Sequence, residues 1–177
     1  MGRPSDSWTV LRMLEWGTKY FQQREVNSPR MSIEWLLSDV LDVKRLDLYL
    51  MYDRPLASAE LDQIRPLIKR RAEHEPLQYI TGNTPFVHAT IKVNTHVLIP
   101  RLETEYMVEL ILDRFEDFKD FKVLDAATGS GCIPIALKMK RPSWDIEAFD
   151  ISEQALLLAV ENAEINESAI RFYKHDL

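Results

Sequence analysis

Hydrophobic positions recur at helical spacing through the first part of the chain and at strand spacing later, so the pattern changes character near residue 75. Ile33, Leu36, Leu37, Val40 and Leu41 fall on one helix face behind the candidate cap Ser32. Trp8, Leu11, Leu14, Thr18 and Phe21 form a weaker stripe of the same period. Leu61, Ile64, Leu67 and Ile68 form another behind the candidate cap Ser58, and Pro66 should bend that helix. Apolar stripes of this kind are normally core faces, so Trp8, Trp16 and Trp35 are expected to pack rather than line a ligand site. Residues 1–75 therefore read as a helical bundle without a catalytic constellation.

Glu75-Pro76 closes that bundle. Beyond it, Gln78-Tyr79-Ile80-Thr81-Gly82-Asn83 and Thr90-Ile91-Lys92-Val93 alternate like two short strands, which predicts a β-hairpin linker over 76–96. Asn83-Thr84-Pro85-Phe86 reads as part of its turn. Val97-Leu98-Ile99-Pro100-Arg101 leads into a helix with Met107, Leu110, Ile111 and Phe115 inward, ending near Asp120. Strand and helix then alternate over 122–125, 132–140, 145–150, 152–166 and 170–174. Such alternation predicts a parallel sheet with right-handed crossovers over 97–177. The fold class is thus α followed by α/β: a helical bundle, a hairpin, and the first half of a Rossmann-like sheet. About three strands are expected, fewer than such sheets usually carry.

Charge and composition narrow the partners. The net charge of -6 over 177 residues gives no uniform field for nucleic acid, and Lys69-Arg70-Arg71 reads as a solvated helix end rather than an RNA contact. A single cysteine, Cys132, excludes a disulfide framework and a cysteine-based metal site, and reads as a small buried hydrophobe at a helix start. No metal site is expected. No apolar run approaches a membrane span and the first residues carry no signal-peptide stretch, so a cytoplasmic protein with no membrane partner is expected.

The chemistry concentrates in Asp125-Ala126-Ala127-Thr128-Gly129-Ser130-Gly131, between an apolar strand and the helix opening at Cys132. Strand, glycine turn and helix N-terminus together present backbone N–H groups to a nucleotide-like ligand. Gly129 can take φ > 0, Gly131 lets a ligand approach the backbone, and Thr128 and Ser130 offer hydroxyls. Asp150, ending the second strand, can accept both hydroxyl hydrogens of a ribose. A dinucleotide site asks for a third glycine three residues beyond Gly131, but that residue is Pro134. Asp125 would repel a pyrophosphate and suits a ligand ammonium, as in the amino acid end of S-adenosylmethionine; it also suits a turn cap. His175-Asp176-Leu177 follows the third strand, where an acceptor could meet an adenine amino group and an apolar side chain could cover the ring.

These residues resemble the release-factor glutamine methyltransferases, called HemK or PrmC, of the seven-stranded S-adenosylmethionine-dependent class. The resemblance rests on Glu75-Pro76-Leu77-Gln78-Tyr79-Ile80-Thr81-Gly82 and on Val97-Leu98-Ile99-Pro100-Arg101-Leu102-Glu103-Thr104-Glu105. It continues through residues 125–134, Asp150-Ile151-Ser152 with Ala155-Leu156, Glu161-Asn162-Ala163, and Asp176-Leu177. It implies S-adenosylmethionine as cofactor, held at Asp125, Ala127, Thr128, Gly129, Ser130, Gly131, Asp150, Asp176 and Leu177, with a peptide-chain release factor as protein substrate. Ala127 stands where the family usually has glycine, Leu102 where it has proline, and His88 where a glycine is common. A residue with φ < 0 at 127 would tolerate the Cβ.

The family's Asn-Pro-Pro-Tyr motif is absent from the 177 residues, so no catalytic residue is assigned. In the family that Asn and a backbone carbonyl are thought to accept the two amide hydrogens and aim the nitrogen at the methyl group. The expectation is an amino-terminal portion, inactive alone, of a protein-(glutamine N5) methyltransferase, with an unpaired sheet edge that promotes self-association and lowers stability. The rival readings are a nucleic-acid amino-methyltransferase of the same architecture and a non-catalytic protein-interaction module.

Overall fold

Helix α1 (Val10–Gln22) starts where the Thr9 hydroxyl accepts from the Arg12 N–H, and the next free donors, Val10 and Leu11, find the carbonyls of Arg54 and Tyr52. In the computed structural model, which describes residues 7–176, this helix opens the first of two compact units, Met1–Thr81 and Gly82–Leu177. Its partner α2 (Pro29–Leu41) comes close because residue 17 is glycine: a Cβ there would overlap Ile33. A 3₁₀ segment (Arg45–Leu50), α3 (Ser58–Ala72) and the short α4 (Leu77–Thr81) complete the unit. Leu14, Phe21, Ile33, Leu36, Leu37, Leu48 and Ile64 form its fully buried centre.

The stripes held, but their starts moved. Helix α2 begins at Pro29 behind Ser28, and Ser32 is buried inside the helix instead of capping it. Helix α3 is preceded by Ala57, whose N–H is taken by Glu60 Oε2 at 2.8 Å, so Ser58 is its first residue and no cap. Trp16 and Trp35 are partly exposed, at 40% and 37%, and Trp16 stacks on Tyr20 at the surface. The basic cluster is only in part a solvated end: Lys69 is exposed, but Arg70 forks onto Glu75, and Arg71 donates to Ser32 Oγ and to the carbonyls of Glu75 and Asn27.

The second unit starts with a hairpin, β1 (Asn83–Phe86) antiparallel to β2 (Ala89–Lys92), so the expected strand over 78–83 is replaced by α4 and a strand displaced towards the carboxyl end. The Pro76 carbonyl accepts from the N–H groups of Tyr79 and Ile80, which winds this segment into a helical turn despite its alternation. Asn83-Thr84-Pro85-Phe86, expected as turn, is the strand itself. Pro85 costs no ladder bond there, because its opposite, Thr90, turns its own N–H and C=O away from β1.

Helix α5 (Leu102–Arg114) follows and buries Val108, leaving Met107 and Leu110 exposed where the pattern expected them inward, and it stops short of Asp120. The aromatic group of Phe115, Phe118, Phe121 and buried Trp144 occupies the segment beyond it. Strands β3 (Lys122–Ala126), β4 (Asp145–Asp150) and β5 (Arg171–Lys174) then form a parallel sheet in the order β3-β4-β5, with α6 (Cys132–Lys140) and α7 (Glu153–Ile165) as crossovers. This order places the carboxyl ends of β3 and β4 side by side. Among the described residues no helix is long and apolar enough to cross a membrane.

Candidate functional site

The turn between β3 and α6 is wound through the left-handed region, with φ of 61° at Ala127, 54° at Gly129 and 78° at Gly131. The two glycines adopt this freely. Ala127 does not: it lacks the φ < 0 that would tolerate its side chain, and its Cβ crowds its own backbone. Hydrogen bonds hold the shape against that strain. Thr128 N–H donates to the Phe149 carbonyl at 3.0 Å, and Gly131 N–H donates to the Thr128 carbonyl at 3.0 Å.

Asp150 ties the turn to the next strand. Its Oδ2 accepts from Gly129 N–H at 2.8 Å, and its Oδ1 accepts from Ser152 N–H at 2.9 Å. Each carboxylate oxygen keeps further acceptor capacity, so both remain competent towards hydroxyl donors of a ligand. The Ser152 hydroxyl in turn caps α7 through Ala155 N–H. Gly131 differs from expectation in its cause. A Cβ on it would stand 3.1 Å from Ala159 Cβ, so what needs the glycine is the close approach of α7 as well as the positive φ. Pro134 sits in the first turn of α6, where its missing N–H costs no helical bond, and it is buried.

Asp125 ends this constellation on β3. Its Oδ2 and the Thr128 hydroxyl oxygen are buried without a formed hydrogen bond, an unusual pair of orphans for one turn. Burial raises the Asp125 carboxyl above the ordinary carboxylate range; the nearby Thr128 hydroxyl opposes that rise and the charge of Asp150 adds to it. Cys132 lies beside them, its thiol pushed up to about 11 by burial first, against the Ser130 hydroxyl and with the charge of Asp125 adding. It is therefore a protonated, buried helix-start residue.

The third strand contributes less than the first two. His175 N–H donates to the Asp150 carbonyl at 3.2 Å and its ring stands edge-on to Phe149, while Asp176 is exposed one residue further on. Leu177 lies outside the described residues. The structure thus brings together Asp125, Ala127, Thr128, Gly129, Ser130, Gly131 and Asp150, and leaves Asp176 at the rim. Among the described residues there is no group of three or more His, Cys, Asp or Glu that could hold a metal ion. One residue of the site escaped the sequence reading in its role. Asn162 is fully buried and donates to the Ser130 carbonyl at 2.9 Å; the sequence marked it only as part of Glu161-Asn162-Ala163 and as a polar residue on the apolar face of α7, not as a partner of the turn.

Comparison with known proteins gives two family matches in succession. The PrmC N-terminal domain matches residues 12–82, and the methyltransferase small domain matches residues 77–177. Three curated relatives carry the same description, release factor glutamine methyltransferase. That of Leptospira interrogans serogroup Icterohaemorrhagiae serovar Lai is 39% identical over 173 residues, covering 96% of this chain and 60% of the relative. That of Geobacter sulfurreducens is 37% identical over 177 residues, covering 100% and 62%. That of Chlorobaculum tepidum is 38% identical over 176 residues, covering 96% and 60%. The chain therefore spans about 60% of the length of these relatives.

Proposed function

Because this chain belongs to the methyltransferase small domain family, with a PrmC N-terminal domain ahead of it, we propose that it is part of a protein-(glutamine N5) methyltransferase acting on peptide-chain release factors. The observation that carries this reading is the extent of the likeness to release factor glutamine methyltransferases, which runs over 96–100% of the chain and so includes the helical unit as well as the turn. A nucleic-acid methyltransferase sharing only the sheet would match the second unit alone. The helical unit is read as the part that docks the protein substrate, residues 82–177 as the part that holds the cofactor, and the cytoplasm as the setting.

The turn suits S-adenosylmethionine, which when bound supplies a methyl group on a positively charged sulfur. Asp150 accepts the ribose hydroxyls on the lone pairs left beside Gly129 and Ser152. Asp125 offers its Oδ2 to the ligand ammonium, and the buried Thr128 hydroxyl beside it can turn its hydrogen to the ligand carboxylate. Gly129 carries no side chain and the space beside it is open, which leaves the approach to the turn clear there. Asp176 and Leu177 are proposed at the adenine. The groups that would orient the substrate amide are not among these residues, so binding is expected of this chain and methyl transfer is not.

Titration calorimetry with S-adenosylhomocysteine tests the reading. Binding is expected, with Asp150→Ala weakening it at least tenfold, since two charge-assisted bonds are worth about 2 kcal/mol or more. Acidification should release the ligand: Asp125 must be ionised to pair with the ammonium, and its raised pKa moves that loss above the ordinary carboxylate range. Silence at millimolar ligand, or affinity indifferent to both changes, would overturn the cofactor assignment. Methylation of a release factor, against DNA and RNA, by the longer protein tests the substrate.

A further inference from the structure

Asn162, in the last turn of α7, and Asn166, the C-cap that ends it, both present their amides to the backbone of β2. Asn162 Oδ1 accepts from Lys92 N–H at 2.7 Å, and its Nδ2 donates to the Lys92 carbonyl at 3.0 Å. Asn166 repeats the exchange two residues earlier on the strand: Oδ1 accepts from Thr90 N–H at 3.2 Å and Nδ2 donates to the Thr90 carbonyl at 2.9 Å. A side-chain amide carries the donor and acceptor of a peptide group. The two asparagines therefore pair with alternate residues of β2 as a neighbouring strand would, on the edge that β1 does not use.

Asn166 Nδ2 also donates back to the Asn162 carbonyl at 2.8 Å, but only Asn162 reaches the turn. The second hydrogen of its Nδ2 reaches the Ser130 carbonyl at 2.9 Å. That carbonyl and the Gly131 N–H belong to one peptide unit, whose other end donates to Thr128 at 3.0 Å. The peptide plane in the middle of the turn is thus gripped at both ends. The reach depends on the absence of a side chain at Gly131, beside Ala159, which lets α7 lie against the turn. Asn162 is fully buried, so no water competes for these bonds.

We propose that Asn162 is a positioning residue for the cofactor turn: anchored on β2, it sets the orientation of the Ser130–Gly131 peptide and couples hairpin and turn into one element. The proposal rests on the reading of that turn as the cofactor site. Asn166 fastens the same hairpin without touching the turn, which supplies the control. Coupling is reciprocal, so a ligand that orders the turn also orders β2.

The experiment compares Asn162→Ala, Asn162→Ser and Asn166→Ala in this chain, each checked for folding by circular dichroism. S-adenosylhomocysteine affinity is read by calorimetry, and amide exchange at Gly131 and Lys92 by NMR. Asn166→Ala is expected to loosen the hairpin and leave affinity within about twofold, whereas the Asn162 variants weaken it about tenfold, the effect of about one lost buried hydrogen bond. In the unsubstituted chain, saturating ligand should slow exchange at Lys92 as well as in the turn. Equal affinity losses for the Asn162 and Asn166 variants would reduce Asn162 to a hairpin fastener and overturn the proposal, as would a Lys92 amide unmoved by bound ligand. If the unsubstituted chain binds no ligand, the cofactor reading falls by itself. The coupling is then judged on the free protein, where unchanged Gly131 exchange in a folded Asn162 variant overturns it and faster exchange supports it.

Discussion

Ala127 is a side chain placed where backbone geometry asks for none. Its φ of 61° costs an L-residue about 1 kcal/mol, and the turn keeps that conformation because Thr128, Gly129 and Gly131 are each held by a hydrogen bond of 2.8–3.0 Å. Ala127→Gly should therefore stabilise the protein by about 1 kcal/mol in urea unfolding without weakening S-adenosylhomocysteine binding. A less stable variant would show that the Cβ makes contacts worth more than the strain. The neighbouring oxygens of Asp125 and Thr128 display the same logic of local cost, since unpartnered buried groups are tolerated where a ligand would complete them. None of this was legible from residue types alone. The motif marked the candidate ligand residues, but φ at 127 is set by hydrogen bonds to Phe149 and Asp150, which come from another strand.

Helices and strands were legible by period, and less so by their ends. Glu25, Asp42, His74 and Glu167 all take positive φ just past α1, α2, α3 and α7, and none is glycine. In each case the following N–H reaches back five residues, as Val26 to Phe21, Val43 to Ser38, Glu75 to Arg70 and Ser168 to Ala163. A terminator without its usual residue leaves no sequence mark. His74→Gly removes the left-handed cost while retaining the Glu75 N–H bond, and is expected to raise stability by about 1 kcal/mol, measured as a higher urea midpoint at unchanged slope. The helical unit also carries the buried Glu34, which accepts from Arg30, Arg45 and Tyr49 at 2.7 Å each. Burial pushes its carboxyl up, yet the Tyr49 hydroxyl and the two arginines outweigh that and hold it below the ordinary range. Its contribution is therefore present above the unfolded pKa and is lost as pH falls through the lower folded one. The strand expected over 78–83 failed because Tyr79 and Ile80 bond to the Pro76 carbonyl, a choice that alternation cannot register.

At the scale of the molecule, β3 is an outer strand of the three-stranded sheet with Leu124 58% exposed, and α7 shows Leu157 and Val160. An apolar edge of this kind favours pairing between copies. Sedimentation velocity is expected to show concentration-dependent association, reduced by Leu124→Lys, which places a charge on the exposed face; a monomer at all concentrations would remove the edge as its cause. The chain's own pattern sufficed for the helical stripes, the three sheet strands and the composition of the glycine turn, because periodicity and glycine act through the local backbone. What only tertiary structure decided was which groups meet: Asp150 under Gly129, Ala159 against Gly131, and Asn162 between β2 and Ser130. Those pairings join residues far apart along the chain, and hydrogen bonding depends on distance and direction in space, quantities that no local pattern carries.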